Sequence, residues 1–232
     1  MIGNREELYV PKIVEWSDSN WDTFPKYSEY NDVGICGVLE SEFEFSHSFF
    51  GVKYYKALVS VKRKSEARDY IPVIITKNQK EIIPSNVKGK AIFIRGQLKS
   101  NRVVSERGER ILYLFIYAFY IKIDDEDEAN TKMPIGLNNI YLAGYVCKEI
   151  YLRTTPLGST ISDVMLAINY KTGKSDFIPC ITWETLAMKF SELKLGDSVT
   201  VTGRIQSRVY FKKADGLNRE INEVSIMSCK DI

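Results

Sequence analysis

One histidine, four scattered cysteines and one run of carboxylates are where acid–base, nucleophilic or metal-binding chemistry would first be sought in this 232-residue chain. His47 has no second imidazole to work with, and no nucleophile motif lies near it in sequence. Cys36, Cys147, Cys180 and Cys229 form no C-x-x-C pair, so a structural zinc site is not expected and they read as small core hydrophobes. The carboxylates of Asp124-Asp-Glu-Asp-Glu128 repel one another, and nothing in the sequence fixes their geometry for a metal or a reaction. The chain therefore reads as a protein without catalytic function, metal site or cofactor.

A different chemistry is written in the aromatic and basic residues. Flat rings stack on bases, and Lys or Arg neutralises phosphates. In Ser175–Trp183 the alternation puts Ile178, Cys180 and Thr182 on one face, and Phe177, Pro179, Ile181 and Trp183 on the other. Both faces are largely apolar, so one packs a core and the other meets a partner. Tyr170 and Tyr210 lie near this segment in the pattern, among Arg153, Lys171, Arg204, Arg208, Lys212 and Lys213. An earlier segment offers Tyr70 with Lys62, Arg63, Lys64, Lys99 and Arg102. On the residues alone, single-stranded nucleic acid and a protein interface fit such a face equally well.

The elements that position these residues are duplicated. Gly37, Gly51, Gly89 and Gly96 each recur 107 residues later, as Gly144, Gly158, Gly196 and Gly203. Asp69, Ile71 and Pro72 recur as Asp176, Ile178 and Pro179. So long a period indicates a doubled domain rather than a solenoid. Each copy reads as five strands, and the second has a helix over 184–195, with Leu186, Ala187, Phe190 and Leu193 on its buried face. That pattern predicts an all-β chain of two tandem five-stranded OB-fold barrels, the second with a helix between its third and fourth strands. In the first copy Pro84 limits the corresponding segment to a turn or a stub of helix.

The expected organisation is an aromatic-containing arm at 1–30, a divergent first OB-fold domain at 31–123, an acidic linker at 124–137 and a second OB-fold domain at 138–232. Charge follows these boundaries: the four segments carry −3, +7, −4 and +2. The near-neutral total thus conceals one basic module. Successive carboxylates predict that the linker is solvated and extended. No apolar run approaches the ~18 residues of a membrane span. Because the N-terminus lacks a secretory pattern, a cytoplasmic address is the expectation.

Asn139-Ile-Tyr-Leu-Ala-Gly-Tyr-Val146 and Arg153-Thr-Thr-Pro-Leu-Gly158 stand in order before Asp176-Phe-Ile-Pro-Cys-Ile-Thr-Trp183. Leu195-Gly-Asp-Ser-Val-Thr-Val-Thr-Gly-Arg204 follows. Together these blocks resemble the bacterial single-stranded DNA-binding proteins over nearly all of 138–232. The resemblance implies an OB fold that binds and protects single-stranded DNA without strong sequence preference, in replication, recombination or repair, at the nucleoid. It implies four barrels per particle, which a two-barrel chain reaches as a homodimer. Base stacking would fall on Phe177, Trp183 and Tyr210, with Tyr170 near another position, and backbone contacts on Arg153 and Arg208. The acidic, apolar-tipped recruitment tail usual in the family is not matched at Ser228-Cys-Lys-Asp-Ile232, so partners recruited through it are not expected. Thr76 stands where the second copy has Trp183. The first barrel is therefore expected to bind mainly through phosphates or to serve assembly. The alternative for the whole chain is a tandem OB-fold assembly module of a replication or recombination complex with weak or no DNA binding.

Overall fold

The computed structural model describes residues 31–104, 110–170, 173–212 and 217–230, with backbone alone at 103–104, 110–111, 209–212 and 217–220. The aromatic arm expected at 1–30 lies outside the described residues. Two units are present, one built on Ile35–Leu137 and one on Asn138–Ile232, and the first residues of the opening strand group with the second unit.

The first unit contains β1 (Asn31–Leu39), β2 (Glu44–Phe49), β3 (Val52–Lys62), β4 (Arg68–Thr76), α1 (Lys77–Ile82), β5 (Lys90–Val104) and β6 (Arg110–Asp127). Strands β3, β4, β6, β5 and β1 follow one another as hydrogen-bonded neighbours, and β1 pairs back with β3 at Val38↔Ser60 and Leu39↔Val59. The second unit repeats the order with β7 (Asn138–Val146), β8 (Tyr151–Thr154), β9 (Thr160–Asn169), β10 (Ser175–Trp183), α2 (Glu184–Ser191), β11 (Ser198–Lys212) and β12 (Leu217–Cys229). There β9, β10, β12, β11 and β7 form the sequence of neighbours, and β7 returns to β9 at Tyr145↔Ala167. Each unit is β-rich and OB-fold-like, with one strand beyond the five expected. The addition is a short arm, β2 or β8, paired antiparallel with the strand that follows it.

The repeated glycines explain how such rings close. A Cβ at Gly144 would lie 2.6 Å from the Ala167 carbonyl oxygen, and one at Gly37 would lie 2.1 Å from that of Ser60. Both positions sit where the first strand of the unit meets its third, so only a residue without a side chain admits the closing backbone. Inside the second ring Leu142, Leu166, Ile168, Ile178, Val201, Ile205 and Val224 are fully buried. Helix α2 adds Ala187 and Phe190 to the buried set and ends at Ser191, earlier than its apolar period suggests; beyond it Gly196 (φ +90°) and the Asp197 carboxylate, which accepts from the Lys194 amide, turn the chain toward β11. In the first unit α1 is the expected stub, and its capping Gln79 side chain accepts from the Thr76 amide at 3.2 Å.

Residues 124–137 differ from the extended, solvated chain that their charge suggests. Strand β6 continues to Asp127, the Thr131 hydroxyl donates to Asp124 at 2.6 Å, and Asp127 accepts from the Ala129 and Asn130 amides. Glu128 pairs with Arg68. Local donors thus relieve the repulsion that sequence alone assigns to the run, and the Thr131 hydrogen bond holds Asp124 below the ordinary carboxylate range. No helix among the described residues is long and apolar enough to cross a membrane.

Candidate nucleic-acid interface

On the second unit the outward face of β10 carries Phe177, Pro179, Ile181 and Trp183, and strand pairing names their neighbours. Phe177 lies opposite Ala167, which lies opposite Tyr145 across the ring closure. At the other end Trp183 lies opposite Ile161, which lies opposite Arg153. Trp183 is 40 % exposed, Tyr145 is 47 % exposed and Phe177 is half-buried. Ile181 between them is buried, so the face is a floor with a ring at each end rather than a continuous platform. Tyr145 is a stacking candidate that sequence reasoning passed over. Its signal was available as an outward position in an alternating strand, but its closeness to Phe177 depends on ring closure.

Cations flank this floor and are held by carboxylates. Arg153 grips Asp163 through Nε at 2.5 Å and a terminal nitrogen at 2.9 Å. Arg208 donates to Glu223 from Nε at 2.9 Å and from a terminal nitrogen at 3.3 Å. Gln206 adds a third donor to Glu223 at 2.8 Å, and Arg204 donates in turn to Gln206 at 3.1 Å. Both forks are bidentate, the geometry that fixes the plane of a guanidinium. The two pairs differ in burial. Glu223 is almost wholly enclosed, whereas Arg153 and Asp163 stand about half in water. The Arg153 hydrogen bonds pull the Asp163 carboxyl below its usual range against partial desolvation, and Arg208 and Lys148 add to the pull. Arg153 is also within the field of Glu223, so the two pairs form one electrostatic group.

The other expected site residues have varied placements. Tyr170 is half-buried, its hydroxyl accepts from Asn31 Nδ2 at 3.0 Å, and burial with the Asp176 carboxylate raises its phenol. These contacts tie it into the unit's framework. The backbone of Tyr210 and Lys212 continues β11, opposite Arg219 and Leu217, and their side chains lie outside the description. Lys171 and Lys213 lie outside the described residues. In the first unit Arg63 is forked onto buried Asp69, Lys62 meets Glu66 at 2.6 Å, Lys64 and Arg102 are exposed, and Tyr70 and Lys99 are half-buried.

Comparing the two outward faces shows more than the loss of one ring. Trp183 lies opposite Ile161 in the second unit, while Thr76 lies opposite Tyr54 in the first. The aromatic has moved across the strand pair, and there it is buried. Tyr54 packs with Ile74 and Phe115 in a cluster, with His47 stacked on it at 4.7 Å and 13°. Phe115, opposite Lys99, holds the place that Glu223, opposite Gln206, holds in the second unit. The carboxylate that holds Arg208 in one copy is replaced by part of an aromatic plug in the other.

Known proteins resemble the chain on these same segments. Residues 137–230 match the single-strand binding protein family. The match takes in nearly all of the second unit. A single-stranded DNA-binding protein of Thermus thermophilus is 28 % identical over 130 residues, covering 51 % of this chain and 49 % of that protein. Single-stranded DNA-binding protein A of Bacillus subtilis is 37 % identical over 81 residues, covering 32 % and 47 %. The chain thus spans about half the length of the curated relatives it matches. The crystal structure of the wild-type single-stranded DNA binding protein of Thermus aquaticus superposes with a TM-score of 0.67 at 22 % identity, over 86 % of this chain and 91 % of that one. Because that superposition extends well beyond 137–230, the fold likeness takes in both units, whereas the family match concerns the second.

Proposed function

We propose that this chain is a pair of tandem five-stranded OB-fold barrels that binds and protects single-stranded DNA without strong sequence preference. Contact runs across the outward face of the second barrel. The arrangement that carries this reading is the floor of that unit, with Trp183 and Phe177 on β10 and bidentate-held Arg153 and Arg208 beside it. The floor provides what a single strand requires: rings for bases that have been unstacked, and guanidinium groups in fixed planes for phosphates. The family match over this unit supports the same ligand. Tyr145 joins Phe177, Trp183 and Tyr210 as a stacking residue, and Lys171, Arg204, Lys212 and Lys213 serve to neutralise phosphates. Tyr170 contributes by holding the floor. Two chains associate to give four barrels.

Titration with oligo-dT tests the reading directly, because Trp183 is a fluorophore on the proposed surface. Salt-sensitive quenching at micromolar protein is expected, and its absence removes the proposal. Trp183→Ala should weaken binding by about tenfold, in line with the ~1–3 kcal/mol typical of one stacked base, and leave the assembly intact. If that variant falls apart in light scattering with DNA affinity retained, the face is a protein interface instead.

A further inference from the structure

We propose that the tip of the β2–β3 hairpin, Phe49-Phe50-Gly51, is a second base-stacking site for single-stranded nucleic acid, on the unit whose main face is plugged. The inference rests on the single-strand-binding reading above and adds a site to it. Strands β2 and β3 pair up to Phe49↔Val52, leaving Phe50 and Gly51 as the two central residues of the turn, at φ +45° and +77°. A two-residue hairpin turn with both φ values positive favours Asn, Asp or Gly, since a Cβ in the left-handed region crowds the following carbonyl. Gly51 obeys that preference and Phe50 defies it. Packing does not explain the exception, because the Phe50 ring is 91 % exposed. A strained residue that presents a large apolar ring to water is placed for something outside the fold.

The surroundings indicate what that is. Phe49, 43 % exposed, meets Phe50 edge to face at 4.5 Å and 73°, so the tip carries a fixed pair of rings. Phe45 is 53 % exposed and stands edge-on to Tyr55. Lys53 and Lys56 flank Tyr54 and Tyr55 on β3, opposite Ser48 and Glu44, and strand alternation puts exposed Lys53 on the same face as half-buried Tyr55. Exposed rings with lysines beside them meet the demands of stacked bases and their phosphates. The segment 31–123 carries a net +7, which attracts a polyanion and opposes the same hairpin of a second copy. The corresponding turn of the second unit presents Leu157, 96 % exposed, so an apolar tip is common to both arms but only the first is aromatic.

Replacing Phe50 separates binding from folding, because strain relief and lost stacking move in opposite directions. Phe50→Gly and Phe50→Asn in the full chain should raise the urea midpoint and weaken fluorescently labelled oligo-dT by about tenfold in anisotropy. Leu157→Gly should leave affinity unchanged. In a Trp183→Ala background, Phe50→Gly should remove most of the remaining binding. Unchanged affinity in Phe50→Gly, with Trp183→Ala weakened, overturns this inference and leaves the parent reading intact. Loss of assembly with affinity retained also overturns it. If the wild-type chain fails to bind oligo-dT, the parent reading itself fails.

Discussion

Arg208 and Glu223 show why charge alone does not mark a binding residue. A guanidinium that neutralises an internal carboxylate is worth little to a ligand as a free charge, yet it can be worth more as a fixed donor. Glu223 is enclosed and accepts from Arg208 and Gln206 at once, so its removal leaves a buried amide and an untethered arginine. An unsatisfied buried polar group costs about 1–3 kcal/mol. Glu223→Ala should accordingly lower the unfolding free energy by roughly 2 kcal/mol, read from urea denaturation. The Arg153–Asp163 pair stands half in water, and exposed pairs contribute about 0–1 kcal/mol. Asp163→Asn should therefore leave stability nearly unchanged. Freed of its internal counter-charge, Arg153 should steepen the salt dependence of DNA binding by about one counterion, measured as the slope of log affinity against log salt. None of this grading was legible in sequence. Arg153 and Arg208 stand out there as cations, but Asp163 and Glu223 are anonymous until strand pairing brings each diagonally across from its arginine.

At the scale of elements, the duplication was readable because two physical constraints impose the same letter at the same place. Gly51 and Gly158, like Gly89 and Gly196, sit in turns with positive φ, while Gly37 and Gly144 stand where a strand crosses to close the ring. Neither requirement tolerates drift, so the register survived even as the faces diverged. Gly144→Ala would drive a methyl against the Ala167 carbonyl, a backbone atom that cannot swing aside. Overpacking of this kind costs about 1–3 kcal/mol, and a fall of that size in thermal or urea stability checks it. Arms β2 and β8 escaped sequence reading because short, exposed strands have no buried alternation to declare them. The exchange of Trp183 and Ile161 for Thr76 and Tyr54 escaped for a related reason. A substitution in one strand has meaning only beside its cross-strand partner, and Thr76 by itself looks like simple loss of a ring.

For the molecule as a whole, each unit holds a half-buried phenol that ties its stability to pH. Burial raises Tyr117 in the first unit, with the field of Tyr54 adding to it; burial likewise raises Tyr170 in the second, with Asp176 beside it. The unfolded chain releases these protons near the ordinary tyrosine value of about 10. A group whose folded pKa lies above its unfolded value binds its proton more tightly when folded. Stability is then complete below pH about 10 and declines as pH rises beyond it. Both units should therefore lose urea resistance between neutral pH and pH about 11. Buried Cys36, with its thiol pushed up to about 12, adds the same sign to the first unit. The two contributions can be told apart. Tyr170→Phe removes this phenol's share of the second unit's alkaline liability, leaving that of buried Cys180, while giving up the hydroxyl contact with Asn31, so it should lower stability at pH 7 and flatten the decline above pH about 10. With Trp16 and Trp21 replaced by Phe, Trp183 fluorescence follows the second unit in these titrations, and a decline equally steep with and without Tyr170→Phe by that signal would refute the assignment.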